Sequence, residues 1–191
     1  MDAVAKQAAQ VAGISKVLVA EHAAYEKGLA ENVSLAIVAA QNAGGYSHIL
    51  APSSMRSKNI LPRVAAMLDT QPVTDVIQSV EGATFARPMY AGNAIATVKT
   101  SEALKLLTVR ATAFDKAPAT GGSATTETAP DVPAPDAGSS TFVSESVSQS
   151  ARPELASARV VISGGRGLKT KENFAMLETL ADKLKGAGMY R

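Results

Sequence analysis

Arg159 to Phe174 reads R-V-V-I-S-G-G-R-G-L-K-T-K-E-N-F. The apolar, β-branched run Val160-Val161-Ile162 predicts a strand over 159–163. It leads into a glycine turn carrying an arginine, and the following residues predict an amphipathic helix with Phe174, Leu177, Ala181 and Leu184 on one face. Strand, glycine turn and helix, in that order, make the unit by which α/β proteins bring backbone N–H groups and a positive helix end against a phosphate. Arg166 adds a planar, fixed cation suited to a pyrophosphate or an electron-rich ring. The turn is neither G-x-G-x-x-G nor the lysine-bearing P-loop. The pattern alone leaves two readings open, a nucleotide-binding turn and a plain strand–helix connection with a solvated arginine. One helix follows before the sequence ends at Arg191.

Upstream the same alternation recurs. Residues 2–12 predict a short Ala-rich helix ended by Gly13, and Lys16–Ala20 a short apolar strand. Ala30–Ala43 predicts an apolar helix closed by Gly44-Gly45, and Ser47–Pro52 a second buried strand. A polar loop, Ser53–Lys58, comes next. Leu61, Val64, Ala65 and Leu68 then recur at helical spacing, with Pro62 early in that helix, where proline is tolerated. Such alternation indicates parallel βαβ units. From Pro72 to Phe114 helical periodicity fades, and Val73–Val80, Met89–Thr100 and Leu104–Phe114 predict strands that extend the sheet in antiparallel or mixed fashion.

Residues 117–155 are rich in Ala, Ser, Thr, Pro and Gly and carry too little apolar surface to offset the entropy of ordering. They predict a flexible linker, with Phe142 and Val143 docking locally. The fold class is therefore α/β, in three parts: an N-terminal α/β domain over 1–116, a linker over 117–155, and the start of a second α/β domain over 156–191.

With 191 residues and 46% hydrophobic residues the chain can bury a sizeable core, and with 4% aromatics and no Trp that core is aliphatic. A net charge of +2 lacks the concentrated basic face of a nucleic-acid binder, so no nucleic-acid partner is expected. The absence of Cys excludes disulfides, thiolate chemistry and Cys-ligated metal. No apolar run approaches the ~18 residues that span a bilayer, so no direct membrane insertion is expected, and Met1–Lys6 has the form of neither a secretory signal nor a transit peptide.

Other candidates point to structure rather than chemistry. His22 and His48 fall at predicted strand ends, and two histidines without Cys make a weak metal set, so no metal site is expected. Ser53-Ser54 follows a strand without G-x-S-x-G around it, and no catalytic residue is assigned. Thr120-Gly121-Gly122-Ser123 reads as a flexible turn more readily than an anion cradle. Arg56, Lys58 and Arg63 read as a solvated basic face. Arg87 to Asn93, R-P-M-Y-A-G-N, reads as a loop entering a strand.

As a set, several runs resemble the electron transfer flavoprotein family on the side of its alpha, FAD-binding subunit. They are Val11–Val19 (V-A-G-I-S-K-V-L-V), Lys58–Ala66 (K-N-I-L-P-R-V-A-A), Arg87–Ala94, Thr120–Ala124, Arg152–Leu155 and Val160–Lys169, in the family's order and spacing. The resemblance implies an N-terminal domain of the adenine-nucleotide-hydrolase-like fold, serving structure and partner contact, and a C-terminal FAD-binding domain. It implies an electron carrier rather than an enzyme, a heterodimer with a beta subunit, and one FAD. That FAD takes electrons from acyl-CoA dehydrogenases of fatty acid beta-oxidation and related enzymes and passes them to a membrane quinone oxidoreductase. The compartment implied is the mitochondrial matrix, or the cytoplasm in a bacterium.

Carried over by residue, Arg166 matches the family's FAD-contacting arginine, and Gly164, Gly165 and Gly167 shape its turn. By the same resemblance the chain is expected to be truncated at both ends. A first strand, helix and strand would precede Met1, and the remaining FAD motifs would follow Arg191, the family's A-V-G-A-S-R run being replaced by A-G-M-Y-R. A truncated, cofactor-free domain that only contacts a beta subunit is the alternative expectation. An adenine-nucleotide site in the first domain is a third, resting on fold analogy.

Overall fold

The computed structural model describes residues 2–146, 153, 155 and 158–190. The chain divides into two compact units, Met1–Phe142 and Val143–Arg191. In chain order the first unit holds α1 (Asp2–Gln10), β1 (Lys16–Val19), α2 (Ala30–Gly44), β2 (His48–Pro52), α3 (Met55–Met67), β3 (Pro72–Val76), β4 (Gln78–Glu81), β5 (Thr84–Met89), β6 (Ala94–Lys99), β7 (Lys105–Val109) and β8 (Thr125–Thr128). The second holds β9 (Val161–Gly164), α4 (Ala175–Leu184) and β10 (Ala187–Tyr190).

The first unit is built around β7. It pairs in parallel with β2 on one side and β3 on the other, giving the order β2-β7-β3. Successive residues of a strand face opposite sides of the sheet. Leu106 accordingly joins a core of Ala30, Ile60, Leu61, Val64 and Ala65 from α2 and α3. Leu107 faces the other way, against Val76 and Phe85. A strand covered on both faces carries a continuous apolar run, as K-L-L-T-V does here. Leu106 is fully buried, which contributes about 2 kcal/mol relative to exposure.

On the Leu107 side lies an antiparallel meander, β4-β5-β6. The expectation that the strands of 73–114 would extend the parallel sheet as antiparallel or mixed partners is thus corrected. β3 and β7 join it in parallel, while the antiparallel strands form a sheet of their own. The strand expected from Met89 begins at Ala94, because Tyr90 and Ala91 adopt left-handed φ values of 51° and 55° and turn a hairpin between β5 and β6.

α2 behaves as its sequence predicts. Gly45, at φ 59°, ends it by donating its N–H to Gln41 O at 2.8 Å. Two polar side chains are buried in it. Ser34 Oγ donates to Ala30 O at 2.6 Å. Asn32 donates to Ala24 O at 3.0 Å and accepts from the Ala137 N–H at 2.9 Å.

The loop expected over Ser53–Lys58 is helical from Met55. Ser54, in extended conformation, caps α3 by accepting the Ser57 N–H at 3.1 Å, which satisfies one of the donors the first turn leaves free. Pro62 is therefore interior to α3, not early in it. It lies on the exposed face, as does Lys58, whose carbonyl proline leaves without its helical donor.

β1 pairs in parallel with β8, Lys16 opposite Thr125, in a two-stranded sheet. β8 lies in the stretch read as a flexible linker, and for residues 117–142 that reading is corrected. The C-terminal carbonyls of α1 have no partner within the helix. Ala9 O and Gln10 O accept the N–H groups of Ala124 and Gly122 at 3.1 and 2.8 Å, and Pro118 O accepts the Ala12 N–H at 3.0 Å. Gly122 permits this approach, because a Cβ there would collide with the Val11 carbonyl. Thr120–Ser123 is thus a packed turn rather than a flexible one. Lys16 Nζ lies 2.8 Å from the Glu127 carboxylate, which holds the lysine charged to higher pH than usual. Phe142 docks as expected, with Lys27 Nζ 5.6 Å from its ring centroid, whereas Val143 is exposed.

In the second unit β10 pairs in parallel with β9, Ala187 opposite Val161. The sequence predicts one strand and one helix for this unit, so β10 is a further correction. α4 links the pair and completes a strand–helix–strand unit, ending at Lys185 with φ 51°. The mixed α/β architecture, with parallel sheets and helices, is as the sequence predicts.

Candidate functional site

The site predicted from the glycine turn sits at the carboxyl end of β9. Gly165 leaves the strand in extended conformation, and Arg166–Leu168 form a single 3₁₀ turn. The Leu168 N–H donates to Gly165 O and the Lys169 N–H to Arg166 O, both at 3.0 Å. A second 3₁₀ turn, Lys171–Phe174, follows, and α4 starts only at Ala175. The expectation of a helix springing directly from the glycine turn is corrected. Ten residues, 165–174, separate β9 from α4, so the N–H groups nearest Arg166 are those of short turns and not of the long helix. Lys-Thr-Lys-Glu-Asn carries no apolar residue to seat a helix on β9, and helical packing begins with Phe174 and Leu177.

The three glycines differ. A Cβ on Gly164 would collide with Leu177 and Leu168 side chains, so its bareness is a packing requirement of the turn and helix over β9. Gly165 and Gly167 meet nothing within 4 Å and do not have positive φ, so neither packing nor backbone conformation demands glycine there. Both are exposed, as is Arg166. Among the described residues no carboxylate lies within ion-pair distance of Arg166. An uncompensated guanidinium beside two glycines with open space around them is suited to an anionic group approaching the backbone closely. Nearby, Glu172 accepts its own N–H and the Thr170 hydroxyl, which hold its carboxyl below the usual range. Val161 is 43% exposed; β10 and α4 are the neighbours of β9 within the described part of this unit.

The remaining candidates have structural partners. His22 Nδ1 accepts the Ala24 N–H at 3.1 Å and packs edge-on against Tyr25, and His48 Nδ1 bonds Ser47 Oγ at 2.9 Å. Among the described residues no group of three His, Asp or Glu is arranged to hold a metal. Ser53 Oγ donates to Thr108 Oγ1 at 3.2 Å, while Ser54 caps α3. Arg56, Lys58 and Arg63 do not share one face. Arg56 packs over Gly28, Lys58 lies 3.5 Å from Asp75, and Arg63 lies 3.2 Å from Glu31. Arg87 donates Nε–H to Thr74 O at 2.8 Å and pins the bulge in β3. Sequence reasoning missed Asp75, whose N–H donates to the buried Thr108 hydroxyl at 2.8 Å and whose carboxylate faces Lys58 and Arg110. Its left-handed φ of 59° is the structural reason, and no local sequence pattern announces it. No helix among the described residues is long and apolar enough to cross a membrane.

Comparison with known proteins locates these features in a family. Residues 1–135 match the family described as "Electron transfer flavoprotein domain", and residues 154–189 match "Electron transfer flavoprotein FAD-binding domain". The latter span contains β9, the Arg166 turn and α4. Over 186 residues the chain is 52% identical to the electron transfer flavoprotein subunit alpha of Pseudomonas aeruginosa, covering 97% of this chain and 59% of the relative. It is 51% identical to that of Paracoccus denitrificans, covering 97% of this chain and 58% of the relative. It is 47% identical to the mitochondrial subunit alpha of Dictyostelium discoideum, covering 96% and 55%. The chain thus spans somewhat over half the length of the curated relatives it matches.

Proposed function

The chain belongs to the electron transfer flavoprotein family, and from that premise we propose that it serves as the alpha, FAD-binding side of such an electron carrier. The observation that carries the proposal is Arg166, an exposed guanidinium without an ion pair among the described residues. It stands on a glycine turn at the carboxyl end of a parallel strand, within the span matching the FAD-binding domain.

The residues fit the cofactor in two respects. Gly165 and Gly167 leave room that a Cβ would fill, and Arg166 offers charge to a phosphate or to an electron-rich flavin edge. Bound FAD supplies the redox chemistry, and the chain's part is to bind, orient and tune it. Arg166, with Gly165 and Gly167 beside it, would hold an anionic part of FAD. Gly164 would act one step removed, by letting Leu168 and Leu177 pack and so fixing the turn. A positive charge held there favours the more negative state of whatever lies against it.

In this reading the protein works as a heterodimer with a beta subunit. It receives electrons from acyl-CoA and related dehydrogenases of fatty acid beta-oxidation and delivers them to a membrane quinone oxidoreductase. It carries electrons and transforms no substrate of its own. The mitochondrial matrix is its place in a eukaryote, in line with the name of the Dictyostelium relative, and the cytoplasm in a bacterium. The domain division that goes with this is an N-terminal α/β domain for partner contact and an FAD-binding domain from about residue 156. Co-expression with a matching beta subunit and an absorption spectrum of the purified complex tests the proposal. Flavin bands in the purified complex support the proposal, and a complex without them counts against it.

A second reading has its own observation. The first unit carries two cores independent of the Arg166 turn, so it can dock a beta subunit without cofactor. Co-purification of beta in a colourless complex would favour that reading over the first.

A further inference from the structure

We propose that Asn173 is a positioning residue for Arg166, its side-chain amide locking the strained turn that carries the arginine. The inference rests on the reading of Arg166 as an FAD contact and names a residue that acts through it.

The turn closes in an uncommon way. The Thr170 N–H donates to Leu168 O at 2.7 Å, a three-residue turn with Lys169 at its centre, at φ 64° and ψ −57°. Those angles define the rare γ-turn, which strains any residue bearing a Cβ. Lysine has no local reason to hold them, so something outside the turn must. Asn173 supplies it. Its Nδ2–H donates to the same Leu168 carbonyl at 2.6 Å, and its backbone N–H donates to Thr170 O at 3.3 Å. Leu168 is thereby fixed twice, its carbonyl by two donors and its side chain in the space left by Gly164, beside Leu177. Arg166 lies two residues before Leu168, and its carbonyl accepts the Lys169 N–H at 3.0 Å. The Leu168 carbonyl and the Lys169 N–H belong to one peptide plane, so a plane released from Asn173 would turn that N–H away from Arg166 O and free the backbone under Arg166. Asparagine suits the task because its amide both donates and is short. Aspartate has the same size, but its ionised carboxylate has no donor and would face the Leu168 oxygen as a like charge.

The lock is exposed, so its expected effect is modest. With the full chain and its beta subunit, FAD affinity is measured by titration for Asn173→Ala, Asn173→Asp, Arg166→Ala and the double variant N173A/R166A. Separately, the intraresidue amide–Hα NOE of Lys169 in the full chain without FAD, strong only where the two protons lie close at positive φ, reports whether its φ is positive. Weakening of about fivefold by either Asn173 variant is expected, the size of one lost hydrogen bond, with no further loss when N173A is added to R166A. Lys169→Gly should restore affinity to N173A, because glycine holds the turn without the lock. That rescue distinguishes a positioning role from a general loss of structure.

If R166A weakens FAD but N173A does not, or if the two effects simply add, the inference is overturned and the FAD reading stands. If R166A is neutral or no FAD binds, the FAD reading fails and the NOE decides the lock. Loss of the positive φ in N173A supports it, and retention overturns it.

Discussion

Between β2 and α3 the chain turns on Ser53 and Ser54 alone, and both hydroxyls are bonded, one to Thr108 and one to the Ser57 N–H. The nearby Lys58 has Asp75 as partner. Between β9 and α4 the chain runs through residues 165–174, on two short helical turns and one strained residue. Arg166 stands there without a counter-charge among the described residues. Both are strand–turn–helix connections of a parallel sheet. The first is consistent at every level: cap, hydrogen bonds and charge pairs all serve the fold. The second departs from that consistency in length, strain and charge. Such departures persist where a ligand, rather than the chain, provides the missing partner. The contrast supports the proposal that the Arg166 turn is the site and the Ser53–Ser54 turn is scaffold.

Substitutions can break or sharpen this contrast. The largest expected effect is at Gly164. Alanine there must push aside Leu177 and Leu168, and destabilisation of about 1–3 kcal/mol is expected by denaturant unfolding. Gly165→Ala, in extended backbone with nothing within 4 Å, should stay within about 0.5 kcal/mol of the parent. Equal costs at the two glycines would erase the distinction between the packed and the open side of the turn. Next comes Ser54→Ala, which removes the cap of α3 and should cost about 1 kcal/mol in the same measurement.

How much of this was legible in the sequence depends on whether an element has an apolar face. α2 and the buried stripe of α3 are apolar at the right spacing, and they form where the pattern predicts; β2 forms in place too, but not as the buried strand expected, because its residues alternate and Leu50 is 61% exposed. β8 is T-T-E-T, four exposed residues, and β10 is four residues without a repeat. Neither carries a hydrophobic period, and β8 was hidden further by the Ser/Pro-rich composition around it. Its β-branched threonines were the one available signal. The start of α3 was missed because a serine cap is a single residue among other polar ones, although Ser54 and Ser57 have capping spacing. In the second unit the Arg166 turn was legible as strand, glycines and arginine. The two 3₁₀ turns that hold α4 back, and the lock by Asn173, were not, because they depend on backbone angles that a polar run leaves open.

The smallest expected effect is electrostatic. Glu31, in the first turn of α2, accepts its own N–H and the Ser140 hydroxyl and lies near Arg63, which together depress its carboxyl below 4.5. A group depressed in the folded state stabilises above its unfolded value and loses that stabilisation as pH falls through the folded value. The melting temperature of the parent should therefore drop below about pH 4.5 more steeply than that of Glu31→Gln. Parallel curves would remove Glu31 from the scaffold's network.

The most direct test of the central claim is the FAD affinity of Arg166→Ala beside the parent, each in complex with a matching beta subunit and each checked for thermal stability. Loss of a charge-assisted contact should weaken FAD by about tenfold or more, with stability within about 0.5 kcal/mol of the parent because Arg166 is exposed. Unchanged affinity in a stable variant would contradict the assignment of this turn as the FAD contact.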